Sequence, residues 1–120
     1  MQIIVSLRAG SLLQSMISAS NNFAVNILRE DQKEVAAFFA TSGREPSNGE
    51  FPGLHCSTAV SGAPIIGGSL AHFDCTLATM HDGGDHVIIV GAVVEAVAQD
   101  GAPLLYFKGG YRGIRDLAGL

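Results

Sequence analysis

Apolar positions change their period several times along the chain, and each change marks an element. Residues 3–7 (Ile3, Ile4, Val5, Ser6, Leu7) make a short, mostly apolar run of the length expected for a buried strand. From Ser11 the spacing turns helical: Leu12, Leu13, Met16 and Ile17 lie on one stripe, predicted to face the core. Ser11 with Gln14 three residues later fits a capping box, and Asn21-Asn22 offers a residue that accepts a left-handed ending. A strand is predicted over 23–28. Asp31 with Glu34 then opens a second helix that directs Val35, Phe38 and Phe39 inward and stops at Gly43.

Helical spacing disappears after that. Residues 41–55 are rich in Ser, Gly, Pro and charge and read as a surface loop, a candidate lid, rather than a domain boundary. The remainder is strand-like over 54–60, 69–80, 86–98 and 104–107, with turns such as Gln99-Asp100-Gly101-Ala102 between runs. Val87 to Val90 is an almost wholly β-branched run, and the Asp82-Gly83-Gly84-Asp85 cluster ahead of it supplies turn residues. A hairpin there sets the imidazole of His86 at a strand edge. Strands joined by short turns, with helices confined to the first third, predict a mainly β, antiparallel barrel with two short appended helices rather than alternating βαβ units. No repeat divides the chain, so 1–120 reads as one domain, and no Gly-x-Gly-x-x-Gly follows the first strand, which argues against a doubly wound dinucleotide fold.

Composition narrows the partners. Hydrophobic residues are 48% and charged residues 15% of 120 positions, so apolar surface needs cover that a homodimer would provide. A net charge of −4 with scattered basic residues offers no footprint for nucleic acid. The opening apolar run has no basic region ahead of it and no stretch is long enough to cross a bilayer, so neither export nor a membrane is expected. Cys56 and Cys75 are too few for a disulfide framework, and a reduced, cytoplasmic protein is expected.

Candidate chemistry lies at three places. Arg8 and Ser11 stand where a strand gives way to a helix N-terminus, which either holds a phosphate or is simply a capped helix beside a solvated guanidinium. His86 is either a site residue or a strand-edge surface histidine; Asp85, its neighbour, would face away on a regular strand. Lys108-Gly109-Gly110-Tyr111-Arg112 joins close backbone approach, a ring and a cation, suited to stacking while pairing a phosphate, or else forms a glycine-rich turn before a short terminal helix. No metal is expected: His55, Cys56, His72, Cys75, His81 and His86 lack ligand spacing, since alternation sends His72 and Cys75 to opposite faces. A hydrolase triad has no support either, because Gly-x-Ser-x-Gly is absent.

Phe23-Ala24-Val25-Asn26-Ile27-Leu28, Gly84-Asp85-His86 and Pro103-Leu104-Leu105-Tyr106-Phe107-Lys108-Gly109-Gly110-Tyr111-Arg112 occur in an order and spacing that resembles the flavin reductase family, the reductase components of two-component flavin monooxygenases. The resemblance covers nearly the whole chain. It implies an antiparallel split β-barrel of Greek-key type and an NAD(P)H:flavin oxidoreductase. Such an enzyme passes hydride from NADH or NADPH to FMN or FAD and supplies reduced flavin to a partner monooxygenase. It also implies roles: His86 beside the nicotinamide as the catalytic residue, Ser6, Arg8 and Ser11 on the flavin phosphate and ribityl chain, and Gly109, Tyr111 and Arg112 on the nicotinamide dinucleotide. The flavin pocket would lie at a homodimer interface. Family members carry further residues ahead of the first strand read here, including Thr/Ser-rich and Asp-Pro-Pro segments that line the flavin, so the chain is expected to be N-terminally short. The alternative is a non-catalytic flavin-binding or structural split-barrel module, motivated by that short front end.

Overall fold

The structure, a computed structural model, describes residues 1–41 and 54–118. The candidate lid at 41–55 therefore lies outside the described residues except at positions 41, 54 and 55, and Gly43 lies outside them too. Among the described residues the elements are β1 (Gln2–Arg8), α1 (Leu12–Ser20), β2 (Asn22–Ile27), α2 (Lys33–Ala40), β3 (Cys56–Thr58), β4 (Pro64–Ile66), β5 (Ala71–Gly83), β6 (His86–Ala98), β7 (Leu105–Phe107), β8 (Gly110–Arg112) and a 3₁₀ turn, Ile114–Leu117.

The central sheet has four strands in the order β1-β6-β5-β2, antiparallel throughout, with β3–β4 and β7–β8 as separate two-stranded hairpins. Register shifts at Asp74/Cys75 and Leu77/Thr79 bend β5, because an extra residue on one strand raises local twist and curls the sheet. The mainly β, antiparallel architecture with two helices is thus present. Strand β1 departs from expectation: its exposure alternates along its length, with Ile4 69% exposed, so it is an edge strand covered on one face only.

One sheet face carries the core. Ile17 of α1 packs with Phe23, Cys75 and Ile89, and Ile3, Val5, Leu7, Val25, Phe73, Leu77, Val87 and Val93 surround them. Gly91 of β6 belongs to this face, and a Cβ there would come within 2.9 Å of Phe23 Cε1 and 3.1 Å of Cys75 Cβ. Of the α1 stripe only Ile17 is buried; Leu12, Leu13 and Met16 are about half exposed, because a nine-residue helix lying on one sheet face covers a narrow line of positions. In α2, Val35 is buried and Phe38 half-buried, while Phe39 is exposed and meets the Phe38 ring edge-to-face at 5.2 Å. The α2 cap also differs from expectation. Gln32, not Asp31, precedes the helix, and its side chain accepts from the Arg29 amide and donates to the Gly67 carbonyl instead of capping.

The opposite face is covered at β2–β5 by the β3–β4 hairpin. Asp74 is fully buried there, accepting from the amide of Ser61 at 2.8 Å and from its hydroxyl. Asn22 donates to the Ser61 carbonyl and Asn26 accepts from the Ile66 amide, so polar side chains of the sheet meet the hairpin backbone group by group. Cys75 is also fully buried, and burial, then the neighbouring Asp74 charge, pushes its thiol pKa up, whereas Cys56 is exposed. Native protein should therefore react with one equivalent of maleimide, at Cys56, and with two only after denaturation. Fast native labelling of both thiols would contradict a closed core.

Candidate functional site

The β5–β6 hairpin closes over Gly84 (φ +80°) and Asp85, the glycine-first pattern of a type II′ turn, and Asp82 Oδ1 accepts from the Gly84 amide at 2.9 Å. Gly83 consequently pairs with His86 on one side. On the other, β1 brings Arg8 opposite His86, and the ladder continues one step further through the Ala9 amide to the Asp85 carbonyl at 2.9 Å. Directly paired residues of antiparallel strands project to the same face with Cβ atoms about 4.5–5.5 Å apart. Arg8 and His86 therefore share one corner, and Gly83 leaves the far side of His86 without a side chain.

The turn lets Asp85 curl back toward the ring: its Oδ1 lies 3.0 Å from His86 Nδ1. An ionised carboxylate only accepts, so Nδ1 donates to it, and in the neutral ring Nε2 is then the acceptor. The His86 side chain is 45% exposed, enough to meet a ligand without unfolding anything. Ser6 lies two residues back from Arg8, opposite Ile88 on the same face.

After Arg8 the chain turns at Gly10 (φ +78°), where a Cβ would meet nothing within 4 Å. Ser11 Oγ accepts from the Gln14 amide, and the Gln14 side chain reaches past Ser11 to the Gly10 amide at 2.7 Å, one residue earlier than a capping box requires. The first amides of α1, at Leu12 and Leu13, have no carbonyl one turn behind them within the helix. An open depression of about 630 Å³ follows α1, lined by Gly10, Gln14, Ser15, Ser18 and Ala19; Ser6, Arg8, Ser11 and His86 are not among its lining residues. Ser6, Arg8 and His86 thus share one face at one sheet end, and Ser11 follows three residues after Arg8 at the start of α1, the helix that lies on the core face.

Gly109, Tyr111 and Arg112 are elsewhere. Their β7–β8 hairpin turns through Lys108 (φ +49°) and Gly109 (φ +77°), the type I′ pattern, and its base is tied to the end of β2 by Leu104 to Leu28 and Glu30 to Ala102 hydrogen bonds. That is the end where Ala71 pairs with Ala98, so the root of the hairpin and His86 are separated by the full length of β6, about 40 Å at about 3.3 Å per residue. Tyr111 and Arg112 project to opposite faces of the hairpin. Tyr111 pairs with Tyr106, their rings 5.2 Å apart, whereas Arg112 pairs with Leu105 on the other face and its guanidinium lies over Gly110.

Sequence reasoning weighed His81 only as a metal ligand and passed over Thr79. They oppose Ile88 and Val90 on the face that carries Arg8, Ser6 and His86, with His81 Nε2 3.0 Å from Thr79 Oγ1. The signal is the two-residue alternation back from Gly83, usable once the hairpin register is fixed. His72 pairs instead with Glu95 at 3.0 Å, and among the described residues no three His, Cys, Asp or Glu side chains converge. No described helix is long and apolar enough to cross a membrane.

Known proteins bear on this arrangement. The model of the flavin reductase like domain family matches residues 1–115. The reductase subunit HsaB of a flavin-dependent monooxygenase from Mycobacterium tuberculosis is 46% identical over 101 residues, covering 82% of this chain and 52% of that protein. An NADH-dependent flavin reductase from Rhodococcus is 30% identical over 115 residues, 96% of this chain and 62% of its own. Among solved structures, nitrilotriacetate monooxygenase component B from Mycobacterium thermoresistibile superposes with a TM-score of 0.84 at 38% identity, covering 99% of this chain and 66% of that one. The NADH:FAD oxidoreductase SgcE6 of Streptomyces globisporus, solved with NAD and FAD fragments, gives 0.81 at 26% identity over 92% and 66%. The chain spans about half the length of the HsaB proteins it matches.

Proposed function

The chain belongs to the flavin reductase like domain family, and on that premise we propose that it is the catalytic split-barrel portion of an NAD(P)H-dependent flavin reductase. It reduces FMN or FAD with NADH or NADPH and hands the reduced flavin to a monooxygenase component. It acts in the cytoplasm, where exposed Cys56 stays reduced. The observation that carries this reading is the cross-strand placement of Arg8 and His86 at one sheet corner, beside the open Gly10–Ser11 turn.

The corner suits a flavin mononucleotide moiety. A Cβ at Gly10 would meet nothing within 4 Å, the start of α1 offers amides without an intrahelical acceptor, and Arg8 supplies a positive charge. Arg8 and the amides after Ser11 would hold the phosphate, with the hydroxyls of Ser6 and Ser11 along the ribityl chain. Bound flavin supplies the acceptor for a hydride from reduced nicotinamide. His86 would position the donor: with Nδ1 bonded to Asp85, Nε2 of the neutral ring would accept a hydrogen bond from the carboxamide N–H. Asp85 offsets part of the cationic charge of this corner, so Arg8 and the helix start carry the phosphate interaction.

Gly109, Tyr111 and Arg112 contact the dinucleotide from a second copy of the chain. A two-fold axis that brings β7–β8 of one copy to the Arg8–His86 corner of the other does so twice, giving two equal sites in a homodimer. The exposed apolar residues Ile4, Val94 and Val97 are surface that association would cover.

Titration with FMN and FAD, followed by addition of NADH or NADPH, tests the proposal in one sample. Flavin-dependent loss of reduced-nicotinamide absorbance is expected. Flavin binding without turnover points instead to a binding module, and neither binding nor turnover sinks the reading.

A further inference from the structure

Tyr106 lies outside every role assigned so far, yet it is the most exposed aromatic side chain of the β7–β8 hairpin, at 68%. Tyrosine is among the residue types enriched at recognition surfaces, where one part of the ring is apolar and its hydroxyl stays wet. Register puts it directly opposite Tyr111, and the two rings stand edge-to-face 5.2 Å apart. The other hairpin face is built differently: Lys108 Nζ sits 5.4 Å from the Phe107 ring centroid, and the Arg112 guanidinium covers Gly110. The hairpin is therefore two-sided, with the two tyrosine rings on one face and Phe107 with the cations on the other.

Charge singles out the same segment. Three of the seven Lys and Arg residues, Lys108, Arg112 and Arg115, fall within eight positions of a chain whose net charge is −4. A basic, aromatic hairpin on an acidic protein complements a ligand that joins a flat ring to phosphate.

We propose that Tyr106 and Tyr111 together form a ledge that stacks the flat heterocycle of a phosphate-bearing nucleotide, Tyr106 being a specificity-determining contact that Arg112 cannot replace. The nucleotide nature of the ligand rests on the flavin reductase reading; the ledge itself rests on register and exposure. Arg112 and Lys108 attract the phosphates from the opposite side of the hairpin, and Tyr106 contributes through its ring face, not its hydroxyl.

The chain offers a direct readout, since it holds two tyrosines, both in this ledge, and no tryptophan. Intrinsic tyrosine fluorescence of the full chain is titrated with ADP-ribose, nicotinamide mononucleotide and FMN, which present adenine, nicotinamide and isoalloxazine rings respectively. Quenching by at least one probe is expected, and in Tyr106→Ser that probe should bind about tenfold more weakly, with Tyr106→Phe restoring the parental affinity. Circular dichroism on each variant controls for folding. Arg112→Gln should lose affinity at low salt while keeping the full quench at saturation. Unchanged affinity of Tyr106→Ser for all three probes overturns the ledge, as does a Phe variant as weak as Ser. Absence of flavin-stimulated NADH oxidation alongside a Tyr106-dependent quench overturns the reductase reading and leaves the ledge standing.

Discussion

Gly91→Ala is expected to lower the melting temperature by about 10 °C, because among the described glycines its Cβ position is the most tightly occupied. Gly91 sits in the middle of β6, paired with Ile3 on one side and Leu77 on the other, on the face that holds the core. The Phe23 ring fills the space a side chain would take, and Cys75 closes it from behind at 3.1 Å. Phe23 is 7% exposed and Cys75 is fully buried, so neither ring nor thiol has anywhere to go without opening the sheet. Insertion of a methyl into such a core costs about 1–3 kcal/mol. The penalty arises from overlap with one ring, so Phe23→Leu in the same chain should return part of the lost stability, although Phe23→Leu alone destabilises. Thermal melts of the two single variants and the double variant decide it: a Gly91→Ala melt equal to the parent would mean that Phe23 does not lie over Gly91.

Gly91 itself illustrates what the sequence could and could not disclose. Val87 to Val90 and the Asp/Gly cluster before it announced β6 and its hairpin, and the strand runs over His86–Ala98 as expected. Local chemistry was sufficient because β-branched residues and a Gly-Asp turn fix strand and register within a few positions. Elements set by distant partners stayed hidden. Pro64–Ile66 is a three-residue strand that exists because Cys56–Thr58 pairs with it and Asn26 accepts from Ile66, a contact across 40 positions. The Gln32 side chain, with a partner in Gly67, turns away from capping α2 for the same reason. Amphipathic spacing marked Leu12, Leu13 and Met16 as apolar without revealing that α1 has only the sheet to lie on.

The site was legible in halves. Arg8 and His86 are far apart in sequence, and their convergence depends on β1 pairing with β6 across a register that no local pattern specifies. The Asp85–His86 contact contradicts strand alternation because residue 85 belongs to the turn and not to the strand. In the terminal hairpin, residue types pointed to ring and cation acting together, whereas alternation across a type I′ turn separates Tyr111 from Arg112 and gives Tyr111 a different neighbour. Tyr106 would have been found by counting two-residue steps outward from Lys108-Gly109, which requires knowing that the glycine pair makes a tight hairpin.

Arg8→Gln should weaken FMN binding about tenfold or more, and His86→Ala should lower kcat/KM for NADH by a similar factor while leaving the FMN Kd near its parental value. A guanidinium that pairs a phosphate makes a charge-assisted hydrogen bond, worth about 1.5–3 kcal/mol, which glutamine cannot reproduce. The imidazole contributes a single acceptor atom to the donor nucleotide, so its removal falls on the nicotinamide and not on the flavin. Asp85→Asn separates orientation from contact: the amide no longer dictates that Nδ1 carries the proton, so NADH turnover should fall less than in His86→Ala, and the change should vanish when His86 is already alanine. All three positions lie at the open end of a hairpin, and their variants should melt with the parent, which distinguishes a lost contact from a lost fold. Because Arg8 and His86 are cross-strand neighbours, the double variant should lose less than the sum of the two single losses. Strictly additive losses would mean that the two side chains serve separate sites, and parental kinetics in both single variants would remove this corner from the reaction.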